Sequence, residues 1–254
     1  MHVQDRRQHV LEQLDARGEV NVANLSRSTG VSEMTVRRDL EALEREGLCR
    51  RVHGGAISTV SRGYEPPFAL RAGRLPQAKE RIGALAATLV SDGETAIIDV
   101  GTTTLELARA LVGVSSNMTV LTPSLHVARE LSAKPDLRLI VTGGIVRPGE
   151  LSLVGALAER AFAELHCDTA FLGAGGVDTV AGVTEFNLDD TRVKRAALES
   201  SRRCVVLADA SKLGMVALSS VCRLERVDVL ITDSGASEEA LAPIRDTGVE
   251  VLVA

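Results

Sequence analysis

Apolar residues at the start of the chain recur three and four apart between polar positions, which is the spacing of amphipathic helices. Val10, Leu11 and Leu14 fall on the inward side of a helix expected over 6–14, and a shorter helix is expected over 22–28, closed by Thr29-Gly30. A third begins at Ser32, whose hydroxyl can cap it, and Val36, Leu40 and Leu43 make one buried stripe on the way to Gly47. Met34, Thr35, Arg37 and Arg38 are left on the remaining surface. Beyond Gly47, Leu48-Cys49-Arg50-Arg51-Val52-His53-Gly54-Gly55-Ala56-Ile57 forms two short extended runs about a glycine pair, the pattern of a hairpin.

From residue 78 the pattern changes to β-rich runs, ending in glycine, threonine or aspartate, that alternate with helical stretches. Strands are expected at 95–100, 118–122, 137–142, 168–173, 203–208, 227–232 and 249–253, with helices at 79–90, 103–111, 124–132, 154–165, 189–200 and 237–246. That alternation predicts an α/β body with a mostly parallel sheet covered on both faces. Gly63, Pro66, Pro67, Gly73 and Pro76 interrupt any period between 58 and 77, so an extended linker is expected there, anchored by Phe68 and Leu70. The expected organisation is a small head over 1–57, a linker over 58–77 and a larger body over 78–254.

Helix, short helix, tight turn and capped helix is the helix-turn-helix order, placed here at about 20–39. A major-groove reader needs a slim helix with small polar groups for base edges and arginines that fork onto guanine or phosphate, and Ser32, Met34, Thr35, Arg37 and Arg38 supply this. The hairpin reads as a basic wing carrying Arg51 and His53 towards DNA, or as a plain surface hairpin. An arginine-bearing helix face is also the ordinary appearance of a solvated surface.

The net charge of −5 sits mainly in the body, because residues 1–62 hold ten Lys/Arg against nine Asp/Glu. One weakly basic head binds DNA with modest affinity that a second head multiplies, so a homodimer or homotetramer is expected. No apolar run approaches the ~18 residues that span a bilayer, and the polar start at 1–8 has no apolar signal region, so a cytoplasmic protein without a membrane partner is expected. Cys49, Cys167, Cys204 and Cys222 are scattered, which argues for reduced thiols and against a metal site. The spaced three-glycine dinucleotide fingerprint is absent, and no cofactor is expected.

Candidate chemistry in the body gathers after strands. Asp99-Val100-Gly101-Thr102-Thr103-Thr104 opens a helix with free N–H groups and three hydroxyls, which suits a phosphate, although a threonine-rich cap that binds nothing has the same appearance. Thr142-Gly143-Gly144 and Gly173-Ala174-Gly175-Gly176 repeat the arrangement. Lys194, Asp209, Lys212 and Asp233 complete the charged candidates. Lys212 is favoured as the phosphate cation, Lys194 lies in a charged helix that fits a solvated role equally well, and Asp233 fits a helix cap.

Arg6, Val10, Leu14, Ser32, Thr35-Val36-Arg37-Arg38-Asp39-Leu40 and Arg51-Val52-His53-Gly54-Gly55-Ala56 together resemble the signature of DeoR-type bacterial transcriptional regulators. Asp99, Gly101 to Thr104, Gly143-Gly144, Gly173 to Gly176, Lys194, Asp209 and Lys212 resemble the effector domain of that family, itself similar in fold to ribose-5-phosphate isomerase. The resemblance implies a winged head that contacts double-stranded operator DNA, with Arg6 among its contacts, and a body that senses a phosphorylated sugar. It also implies a repressor of sugar-catabolism genes without catalytic residues. Ala210 departs from the histidine that the family carries there. The competing reading is an isomerase or hydrolase with a DNA-binding appendage, using Glu185 or Asp99 as base, yet no spacing pairs either with an activated partner.

Overall fold

The computed structural model describes residues 3–45, 47–58, 62–114 and 117–254. Parts of the polar start read at 1–8 and of the segment read at 58–77 therefore lie outside the described residues. The chain divides into two compact units, residues 1–74 and 75–254. Among the described residues no helix is long and apolar enough to cross a membrane.

The first unit contains α1 (Val3–Arg17), β1 (Glu19–Asn21), α2 (Val22–Thr29), α3 (Glu33–Arg45), β2 (Cys49–Val52) and β3 (Gly55–Ser58). Val10, Leu14, Val22, Leu25, Val36, Leu40 and Leu43 close one core with Cys49 and Ala56 beneath it. Each fully buried aliphatic side chain of this kind contributes about 1.5–3 kcal/mol, so the three helices hold one another in place. Asn21 caps α2 by accepting from Ala23 N at 2.9 Å, and Ser32 Oγ caps α3 by accepting from Thr35 N at 3.3 Å. β2 and β3 form the antiparallel wing, and β1 adds to β3 from its other side. The approach of β1 to β3 is so close that a Cβ on Gly55 would lie 1.9 Å from Val20 O.

The segment expected to be extended instead contains a short helix, α4 (Phe68–Gly73), after Pro66-Pro67. Its Arg71 accounts for the difference: the guanidinium bonds Pro66 O at 2.8 Å and pairs with Glu65 at 2.9 Å, closing one turn on itself.

The second unit opens with α5 (Pro76–Ala87), β4 (Thr95–Ile98), α6 (Thr102–Val112), β5 (Met118–Thr122), α7 (Leu125–Leu131) and β6 (Leu137–Val141). A hairpin follows, β7 (Ile145–Arg147) with β8 (Ser152–Val154), and then α8 (Ala156–Ala163) and β9 (Cys167–Gly173). β10 (Gly176–Asp178), β11 (Gly182–Glu185), α9 (Leu188–Glu199), β12 (Ser201–Leu207), β13 (Ser219–Cys222), β14 (Val229–Thr232), α10 (Glu238–Arg245) and β15 (Glu250–Val253) complete the chain.

Seven strands form one parallel sheet in the order β15-β14-β12-β9-β4-β5-β6. Alternation along each strand builds two cores. Ile98, Phe171, Val205 and Leu207 face Ile82, Leu107, Leu111 and Leu131 of α5 to α7. Ile97, Ala170, Leu172 and Val206 face Phe162, Val193, Ala197 and Ile244 of α8 to α10. The chain starts in the middle at β4, runs outward through β5 and β6, and returns at β9 to run the other way. The carboxyl ends of β4 and β9 therefore flank the topological switch point, where open α/β sheets place their ligands.

Candidate functional site

In the first unit α3 buries Val36, Asp39, Leu40, Ala42 and Leu43 and turns its amino-terminal half outward. Met34 is 61% exposed, Arg38 is exposed, and Thr35 lies beside them with its hydroxyl 3.0 Å from Ser32 Oγ. Arg37 is loosely paired with Glu33 at 3.4 Å, a surface ion pair of about 0–1 kcal/mol that a phosphate can replace. Arg51, Val52 and His53 are exposed at the tip of the wing, with Arg51 held to Glu41 at 2.8 Å.

Arg6 is different, and its expected DNA contact is corrected. It is buried, with its Nε 2.5 Å from Asp39 Oδ2, and that bond raises its pKa further. Arg6 therefore ties α1 to α3 from inside the head. The signal was present in the sequence: Arg6, Val10 and Leu14 are four apart and share the buried stripe.

In the second unit the switch point holds a buried charge cluster. Asp99 follows β4, Gly173 ends β9, and Lys194 reaches them from α9, one turn after Asp190. The Lys194 ammonium donates to Asp99 Oδ2 and, at 3.0 Å, to Gly173 O, and it stands 3.3 Å from Glu185 Oε2. Asp99 Oδ2 also accepts Gly173 N at 3.0 Å. Beside this group, Asp190 pairs at 2.8 Å with Arg147 from the β7–β8 hairpin.

Burial alone would lower Lys194, but the charges of Asp99 and Glu185 outweigh it and hold the ammonium above its ordinary value. Burial pushes Asp99 up against the pull of Lys194. Burial likewise raises Asp190 to about 6, with Arg147 pulling the other way. Three carboxylates against two cations leave this floor acidic.

The Lys194 ammonium donates to Asp99 and Gly173 and is ion-paired with Glu185, so three internal groups surround it. Lys194, 1% exposed, is therefore a structural cation, contrary both to a solvated role and to a phosphate anchor. Glu185 has Oε2 3.3 Å from Lys194 Nζ and Oε1 accepting Phe186 N at 2.7 Å, so both oxygens have partners within the fold. Asp99 Oδ1 is buried without a hydrogen-bond partner, which costs about 1–3 kcal/mol unless a donor arrives.

Directly after Asp99, Gly101 adopts φ 143 and ψ 164, a conformation essentially reserved to glycine, and opens α6 without a side-chain cap. The first-turn N–H groups of Thr102, Thr103 and Thr104 consequently lie at the strand-end edge. Thr104 Oγ1 turns back to Gly101 O at 3.1 Å.

The other glycines divide. Gly143 is exposed with open space around it, but a Cβ on Gly144 would lie 2.7 Å from Val154 O. Gly175 donates its N–H to Thr184 O at 2.9 Å and abuts the Phe186 ring, and a Cβ on Gly176 would meet Met215 O at 2.2 Å. Gly144, Gly175 and Gly176, expected to cradle a ligand, are explained by close packing of the chain on itself.

Asp209, also expected at the ligand, accepts Ser211 N at 3.1 Å and caps the turn at Ala210–Lys212. Asp233 accepts Ala210 N at 2.8 Å and Gly235 N at 2.9 Å, while Ser237 caps α10. Lys212 stands over the Phe186 ring at 5.6 Å. Arg147 was missed because the three-residue strand β7 has too little periodicity to be read, and Asp190 because it sits in α9 among charged residues that look like a solvated helix face.

Residues 6–62 match the family model of the DeoR-like helix-turn-helix domain, and residues 75–234 match that of the DeoR C terminal sensor domain. The HTH-type transcriptional regulator GolR of Listeria innocua is 36% identical over 250 residues, 98% of each chain. The glycerol-3-phosphate regulon repressor of Escherichia coli K12 is 31% identical over 246 residues, 97% of each chain. Among solved structures, ribose 5-phosphate isomerase A from Methanocaldococcus jannaschii overlays 54% of each chain at 18% identity with a TM-score of 0.40. An outward-facing capped helix beside a wing, a doubly wound sensor sheet and family matches on both units lead to one conclusion: the chain belongs to the DeoR family of transcriptional regulators.

Proposed function

We propose that this regulator represses sugar-catabolism genes by seating α3 in the major groove of operator DNA, and that a phosphorylated sugar bound at the switch point of the body controls it. The observation that carries the DNA half is the exposed amino-terminal face of α3, where Met34, Thr35 and Arg38 project from a capped, rigid helix while Arg51 and His53 flank it on the wing. Arg6 supports that helix from behind.

Supporting the effector half are the unpartnered Asp99 Oδ1 and the uncapped first turn of α6 beside it. A sugar hydroxyl donating to Asp99 and a phosphate on the N–H groups of Thr102 to Thr104 fit the two, whereas the acidic floor around Lys194 repels a phosphate. The relative named for a glycerol-3-phosphate regulon agrees with a small phosphorylated effector.

The test has two parts. Selection from random duplexes should recover one sequence that the full chain binds, and Arg38→Ala should weaken that binding. A thermal-shift panel of phosphorylated sugars should contain at least one that stabilises the chain, by ~2.7 kcal/mol at a hundred times its dissociation constant. The same sugar should release the selected DNA, and Thr103→Ala should blunt release while leaving DNA binding intact. Sustained turnover of any sugar in the panel would favour an enzyme instead.

A further inference from the structure

Two carboxylates stand on the helix that meets DNA in the regulator reading. Glu41 and Glu44 are three apart on α3 and share the face that turns to the wing strand β2. Their charge by itself opposes DNA binding, because phosphates repel it within a Debye length of about 8–10 Å.

Both carboxylates grip one residue. Glu44 Oε1 accepts the backbone N–H of Arg51 at 2.7 Å, and Glu41 Oε1 accepts Arg51 Nη1 at 2.8 Å. One therefore fixes the main chain of the wing and the other fixes its guanidinium. β2 ends the sheet order β1-β3-β2, so Glu44 stands where a further strand would take the Arg51 N–H. Cys49 Sγ donates to Leu40 O at 3.7 Å and Leu48 N donates to Leu43 O at 2.8 Å, which pins β2 and the turn before it to α3 at successive positions. Side chains alternate along β2, and Arg50 lies instead 5.4 Å from the centroid of the Tyr64 ring. Arg51 is thus the cation of β2 that α3 orients. A guanidinium has five N–H donors, so the one held by Glu41 leaves others for a phosphate.

We propose that Glu44 and Glu41 are positioning residues for DNA recognition: they fix Arg51, and with it the wing, at one angle to α3, so that helix and wing meet the duplex as one rigid body. The proposal rests on the reading of α3 and the wing as the DNA-binding surface. A guanidinium that is already ordered loses less freedom on meeting a phosphate, which is how a carboxylate favours the binding of an anion it repels. Charge and position consequently predict opposite signs when either glutamate is removed.

Anisotropy titrations of the full chain on its selected duplex and on a random duplex separate the two. Glu44→Ala and Glu44→Gln remove the same charge, but only glutamine keeps an oxygen for the Arg51 N–H. Glu44→Ala should weaken binding to the selected duplex roughly tenfold, and Glu44→Gln should stay within about twofold of wild type. Neither should weaken binding to the random duplex, which depends on charge, and both should unfold at the wild-type midpoint. If Glu44→Ala fails to fold, Glu41→Ala against Glu41→Gln, which differ in the same way, decides alone. Tighter or unchanged binding by the alanine variant, an equal loss in the glutamine variant, or an equal loss on both duplexes would overturn the proposal and leave the regulator reading standing. A wild type that selects no duplex would overturn the regulator reading, and this proposal with it.

Discussion

Arg38 on α3 and Lys194 on α9 are both helical cations in charged stretches of sequence, yet the fold uses them in opposite ways. Arg38 is exposed and hydrated, so its charge can be given to a phosphate or a guanine. Lys194 is 1% exposed and holds two buried carboxylates and a carbonyl, so its charge is already committed. The head keeps Arg38 on the surface of a hydrophobic core, and the body keeps Lys194 inside, where it organises the ends of β4 and β9. Solvation is what separates the two cations: one is open to a ligand and the other is already paired.

That contrast can be broken at four points. Lys194→Met leaves Asp99 and Glu185 buried without their cation, and chemical unfolding should show a loss of about 3–5 kcal/mol. An unchanged unfolding midpoint would mean that Lys194 is not structural.

Asp190 gives the next effect. Its folded pKa, about 6, lies above the ordinary value of 3.8, so the folded state binds more protons between the two. Stability should fall as pH rises from about 4 through about 6, with a ceiling near 3 kcal/mol at ~1.4 kcal/mol per unit. Asp99, raised by burial, adds in the same direction. Unfolding of Asp190→Asn across that window should show a flatter slope than wild type, and parallel slopes would refute the assignment.

Arg6→Ala should cost the head about 2–3 kcal/mol, less than Lys194→Met because Arg7 stays 3.5 Å from Asp39. Arg6→Ala should thus lower thermal stability along with DNA affinity. Arg38→Ala should leave the unfolding midpoint unchanged and weaken DNA binding by ~1–3 kcal/mol, with relaxed sequence preference if the arginine forks onto a base. Equal stability losses in the two variants would erase the distinction between the inner and outer arginines of the head.

Most of the frame was legible because its signals are strong. Buried parallel strands read as short apolar runs, and all seven strands of the main sheet lie within a few residues of their expected positions. The small antiparallel pieces were not legible. β7, β8 and β10 are three residues each, too short for a period, and the glycines that let β10 pack beside Met215 looked like a phosphate loop. α4 was hidden by the prolines before it, since its closure depends on Arg71.

The site was half legible. Asp99, Gly101 and the threonines stand where strand-end logic placed them, but the partners of Asp99 come from α9 and β11, far away in sequence. One signal was available and unused. Asp190, Lys194, Ala197 and Leu198 share one face of α9, which marks Lys194 as inward.

On this reading a sugar phosphate in the body governs what α3 does on DNA. The most direct measurement is a titration of the full chain on its selected duplex, by fluorescence anisotropy, with and without the phosphorylated sugar that gives the largest thermal shift. Wild type should bind and be released, Arg38→Ala should bind weakly, and Thr103→Ala should bind but resist release. A wild-type affinity unmoved by a sugar that demonstrably stabilises the protein would contradict the account.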